Sequence, residues 1–67
     1  SPADIKGRHT LSEIAEGASV SLPALLAALA LPADTDPTTQ VRELVEGGAL
    51  AEIDAVRAAV TELQAQR

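Results

Sequence analysis

The residues best equipped for chemistry fall in three short stretches. His9, the single histidine, stands just ahead of Ser12 and Glu13. A histidine near a hydroxyl and an acid is the raw material of nucleophilic catalysis, in which the ring takes the hydroxyl proton and the acid orients the ring. No nucleophile motif accompanies Ser12, so a solvated histidine in a flexible arm is the plainer reading. Asp34 and Asp36 in "DTD" offer oxygen ligands for calcium. The loop lacks the glycine and closing glutamate of an EF-hand, and turn or cap duties account for both aspartates. Gly47-Gly48 has no following Lys-Ser/Thr and so lacks the phosphate cradle of a P-loop. The chain contains no cysteine, which removes thiolate metal sites and disulfides. These stretches predict a chain that is not an enzyme and holds no cofactor or metal.

What remains for function is the charged exterior. The net charge is −5, and the sequence pI is about 4.5. Non-specific nucleic-acid affinity comes from Lys and Arg neutralising phosphates, so nucleic acid is excluded as the expected partner, and anionic membrane surfaces are disfavoured for the same reason. The candidate partner-binding residues are Glu13, Glu16, Glu43, Glu46, Glu52 and Glu62, whose structural alternative is plain solvated helix surface.

The elements that would position these residues read as helices. Thr10-Leu11-Ser12-Glu13 fits a capping box, and Leu11, Ile14, Ala15 and Ala18 recur at helical spacing, giving a first helix over about 11–17 with Gly17 as a left-handed stop. Ser21 caps a second helix over about 22–30, with Pro23 in its first turn and Leu22, Leu25, Leu26 and Leu29 as its stripe. Its Ala- and Leu-rich circumference predicts burial on more than one side. After the polar connection "LPADTDPTTQ", either Asp36 or Thr39 caps a third helix with Val41, Leu44 and Val45 inward and Gly47-Gly48 at its end. A last helix over about 53–65 buries Ile53, Val56, Ala59, Val60 and Leu63 and turns Asp54, Arg57, Glu62 and Gln64 outward. Residues 1–9 form an extended arm with a turn at Gly7, anchored by Ile5, and residues 10–67 form the folded domain. The fold class is therefore all-α: a small four-helix domain of two helix-turn-helix hairpins with an extended N-terminal arm.

Sixty-seven residues allow one domain with a thin core, and without Phe, Tyr, Trp or Met that core is Leu, Val, Ile and Ala. Such a core rarely supplies more than about 3–5 kcal/mol of net stability. The segments "EIAEGASV" at 13–20 and "ELVEGGAL" at 43–50 match at an offset of 30, which carries Ile14 onto Leu44, Gly17 onto Gly47 and Leu26 onto Val56. Two hairpins packed face to face around a pseudo-twofold would explain the echo, and chance similarity in an Ala/Glu/Leu-rich chain is the alternative. Ser1-Pro2 without a methionine reads as a cut or processed start, and Arg outnumbering Lys four to one suits a high-GC bacterium.

Residues 10–32 have the outline of a DNA-reading helix-turn-helix. A recognition helix needs side chains that reach base edges, and the second helix offers only Ser, Leu, Pro and Ala. It reads as a buried structural helix. The longest apolar run, residues 22–33, is about half the roughly 20 residues of a membrane span.

"DIKGRHTLSEIAE" at 4–16, "LPALLAALALPADTDP" at 22–37, "VRELVE" at 41–46 and "IDAVRAAV" at 53–60 together resemble a small helical domain of prokaryotic membrane redox proteins. That soluble module is appended to flavinylation-associated cytochromes and related iron–sulfur-binding membrane proteins. Its pattern runs Ile-Lys-Gly, Thr-Leu with an acidic residue, Leu-Leu-x-x-Leu-Gly-Leu-Pro, and a final Val-Arg-x-Ala-Val helix. The chain departs from it with Ala30 inside Leu-Gly-Leu-Pro and with Ala18-Ser19 where an aromatic-Gly pair is common. The resemblance carries no catalytic or cofactor-binding residue. It implies a non-catalytic accessory interaction domain of a bacterial membrane-associated electron-transfer assembly, docked to a partner protein or a neighbouring domain. Its place would be the cytoplasm, tethered to the inner membrane through the parent protein or complex, without inserting directly. A homodimer is a further expectation for so small a domain. The alternatives are a helix-turn-helix DNA-binding regulator fragment using residues 10–31 and a docking module of a multi-enzyme complex.

Overall fold

In the computed structural model, which describes residues 5–66, the chain is an all-α domain of four helices, α1 Leu11–Ala18, α2 Leu22–Ala28, α3 Val41–Glu46 and α4 Asp54–Ala65. Residues 1–4 of the expected arm lie outside the described residues. α4 packs chiefly on α2, and α1 packs on α2. The core lies where the apolar stripes meet. Leu11, Leu25, Val41 and Val56 are fully buried, and Leu26, Val60, Ile14, Ala15 and Ala59 surround them. Ile5 also enters this core, so the turn that follows it is held against the helices.

The two hairpins complete each other's helix starts. The first N–H groups of a helix have no partner inside it and must find one elsewhere. Here Leu11 N–H donates to Thr39 O at 3.1 Å and Ser12 N–H to Pro37 O at 2.9 Å. In return Val41 N–H donates to His9 O at 2.9 Å and Arg42 N–H to Gly7 O at 2.9 Å. Each pair maps onto the other at the offset of 30 seen in the sequence, with the isolated antiparallel bridge Thr10–Gln40 between them. Glu13 Oε1 then accepts from Thr10 N–H, and Glu43 Oε2 from Gln40 N–H, both at 2.8 Å. The offset of 30 read in the sequence therefore recurs at the helix starts as a reciprocal set of hydrogen bonds.

Several boundaries differ from the sequence reading. Gly17 is not the stop of α1. The helix runs on to Ala18, and the left-handed residue is Ser19, with φ 58°. α2 ends at Ala28, and its left-handed closure falls at Ala30, also φ 58°. Both ends have the same closure, in which the N–H after the left-handed residue reaches back five positions: Val20 to Ala15 O at 3.0 Å and Leu31 to Leu26 O at 2.9 Å. α3 closes likewise through Ala49 N–H to Leu44 O, with Gly48 at φ 85°.

The cap of α3 is Gln40, not Asp36 or Thr39. Its side chain makes no cap bond; it accepts from Arg42 Nε instead, and the start is supplied by the opposite hairpin. Asp36 serves its own turn, accepting from Thr38 N–H and Thr38 Oγ1–H. α2 is buried on one side only, for Pro23, Ala27 and Ala28 are exposed. On α4, Arg57 and Gln64 do not simply face out. Each is half-buried and reaches a remote carbonyl: Arg57 Nη2 donates to Ile5 O at 2.8 Å, and Gln64 Nε2 to Ala18 O at 3.2 Å.

Candidate interaction surface

All six candidate glutamates, Glu13, Glu16, Glu43, Glu46, Glu52 and Glu62, are exposed. They do not converge on one spot. Glu13 and Glu43 sit at the paired helix starts, each fastened by a backbone N–H, with Glu16 and Glu46 further along the same two helices. Glu52 precedes α4, and Glu62 lies on α4 beside a shallow depression that also involves Ala24, Ala27, Ala28 and Leu63. Sequence reading treated the six as equivalent surface charges. Two of them are also structural, because their carboxylates complete helix starts.

Those hydrogen bonds change the acidity of Glu13. The Thr10 N–H, with further help from the Thr10 hydroxyl, holds its carboxyl below the ordinary carboxylate value. Asp36 is lowered in the same way by Thr38 N–H and the Thr38 hydroxyl. A carboxylate whose pKa is lower folded than unfolded contributes stability above the unfolded value and loses it as pH falls through the folded one. The domain should therefore lose stability as pH drops below about 4. Urea midpoints followed by far-UV circular dichroism at pH 6 and pH 3 check this. A profile flat over that range in the wild type, or a slope undiminished when both carboxylates are replaced by amides, contradicts the assignment.

The remaining chemical candidates take structural positions. His9 Nδ1 accepts from Lys6 N–H at 2.9 Å while His9 N–H donates to Lys6 O at 3.1 Å, so the ring closes the Gly7-Arg8 turn. With Nδ1 occupied by a backbone donor, it cannot also be oriented by an acid in the manner of a triad, and Ser12 lies exposed on α1. Among the described residues no cluster of three or more His, Asp or Glu has the disposition of a metal site. No helix among them is long and apolar enough to cross a membrane.

Sequence reasoning missed a half-open cleft of about 250 Å³ between the Ile5–His9 turn, α1 and α4. Ile5, Ile14 and Val60 form its apolar floor; His9, Glu13 and Gln64 stand on its rim. The signal was the small pair Gly17-Ala18, which leaves the last turn of α1 without side-chain bulk. A Cβ placed on Gly17 would meet nothing within 4 Å. The cleft was hidden because Gln64 reads as solvent-facing by helical period alone.

The fold and surface define a small all-α domain with a closed aliphatic core and an acidic exterior. No family model, curated protein or solved structure matches the chain.

Proposed function

We propose that the chain is a non-catalytic accessory domain that docks a basic partner protein or neighbouring domain, within a bacterial membrane-associated electron-transfer assembly. The observation that carries the docking role is the division between inside and outside. The described residues leave no large hydrophobic side chain exposed, while all six glutamates project to solvent. Complementary charge steers encounter and selects partners, and such a surface favours a positively charged one. The redox setting rests on the resemblance of "DIKGRHTLSEIAE" and the segments after it to modules of membrane redox proteins.

Selection of a displayed random peptide library on the immobilised domain tests the docking role. Basic peptides should be enriched, and charge reversal at Glu43 and Glu46 should weaken their binding while circular dichroism stays unchanged. Absence of enrichment, or enrichment of acidic sequences, overturns the reading. Fluorescence titration with duplex DNA at low salt should give no saturable binding. Binding that falls steeply with added salt would point instead to the DNA reader. Against that alternative stands the start of α1, where the Leu11 and Ser12 N–H groups, which could otherwise meet phosphate, donate to Thr39 O and Pro37 O.

A further inference from the structure

We propose that the cleft between the Ile5–His9 turn, α1 and α4 receives one arginine side chain of the docking partner. This inference rests on the docking role proposed above and names the chemistry of its anchor. At about 250 Å³ the cleft lies below the roughly 300–1,000 Å³ of small-molecule sites and suits a single long side chain. Its floor of Ile5, Ile14 and Val60 would cover an aliphatic stem. Of its rim residues Glu13 and Gln64 can accept, whereas the His9 Nδ1 is already taken by Lys6 N–H. Glu13 gives one lone pair to Thr10 N–H, and a carboxylate can accept about four hydrogen bonds, so it keeps capacity for a donor. Gln64 commits its amide nitrogen to Ala18 O, which leaves its carbonyl oxygen as the acceptor it can offer.

The same hydrogen bonds that complete the start of α1 hold Glu13 in its charged form. A group that carries only donors on a long apolar stem fits this arrangement, and guanidinium matches a carboxylate with two parallel bonds where ammonium offers a point charge. His9 and the exposed Arg8 both favour the charged form of Glu13, and Arg8 is the chain's own competitor for that charge. The site therefore discriminates through the apolar floor as well as through charge.

The test uses the whole chain, labelled with ¹⁵N, titrated with N-acetyl-arginine methylamide and with its neutral isostere, N-acetyl-citrulline methylamide. Saturable shifts are expected at Gly17, Ala18 and the Gln64 side-chain amide, with citrulline at least tenfold weaker. Gly17→Leu directs a side chain into the cleft from a position where a Cβ has open space, and it should abolish the shifts with the rest of the spectrum preserved. Glu13→Gln retains a residue able to complete a capping box while removing the charge, and it should weaken binding at least fivefold. Equal binding of citrulline, undiminished binding by Gly17→Leu, or no saturable shift overturns the proposal. If arginine fails here while library-selected peptides still bind in a manner sensitive to Glu43 and Glu46, the cleft falls and the docking role stands. If neither binds, both fall.

Discussion

Leu25→Ala is expected to leave most molecules unfolded at room temperature. Leu25 is fully buried at the centre of α2, the helix that contacts both α1 and α4. Removing a buried leucine to alanine costs about 2–5 kcal/mol, through lost transfer energy and the cavity left behind. A domain of this size has about 3–5 kcal/mol to lose. No Phe, Tyr or Trp is available to shift into the void, and the surrounding Leu, Val and Ala side chains adjust less. Far-UV circular dichroism reads the outcome directly, and a chain without aromatic residues gives no intrinsic fluorescence to rival it. Leu25→Met should stay folded because it nearly conserves volume. A folded Leu25→Ala with an unchanged urea midpoint would mean that the core is not organised around α2.

Ala30→Gly should act in the opposite direction, raising stability by roughly 1 kcal/mol. Ala30 is exposed and held at φ 58°, where an L side chain costs about 1–2 kcal/mol that glycine does not incur. Part of that gain is offset by the greater freedom of glycine in the unfolded chain. For a domain of 60–100 residues each 1 kcal/mol moves Tm by about 4–8 °C, so thermal scans of the two proteins resolve the effect. Ser19 is held at φ 58° as well. Gly17→Ala makes a useful companion. Gly17 lies inside α1 with open space around its missing Cβ, so alanine should add roughly 0.5–1 kcal/mol. A lower Tm for Ala30→Gly would mean that the backbone there is not left-handed in solution.

What could be read from the sequence divides by how far each interaction reaches along the chain. The start of α1 was legible because Thr10 and Glu13 are three residues apart and carry the whole signal between them. The start of α3 was not, because its cap, Gln40, has no side-chain cap bond and Val41 and Arg42 are completed by the His9 and Gly7 carbonyls of the turn ahead of α1. Helical period alone points Arg57 and Gln64 outward, yet each reaches a carbonyl about fifty residues away in the chain, at Ile5 and at Ala18. Gly17 looks like the stop of α1 because glycine is the usual left-handed residue, while here Ser19 and Ala30 adopt that conformation. The buried stripes of Leu25, Leu26, Val56 and Val60 were plain, since apolar periodicity needs no knowledge of partners. The six exposed glutamates could be named, but their separation over the surface and the cleft beside Glu13 depend on packing that one helix cannot reveal.

The exchange of hydrogen bonds between the two helix starts has a kinetic consequence. A lone hairpin, with its opening turn left to water, gains little from forming early. The rate-limiting event should therefore bring together segments about thirty residues apart, as the Leu11–Thr39 and Val41–His9 bonds require. Distant closure of this kind slows a helical chain relative to bundles built from neighbours alone. It should also leave few states in which one half survives after the other melts, so unfolding is expected in one cooperative step.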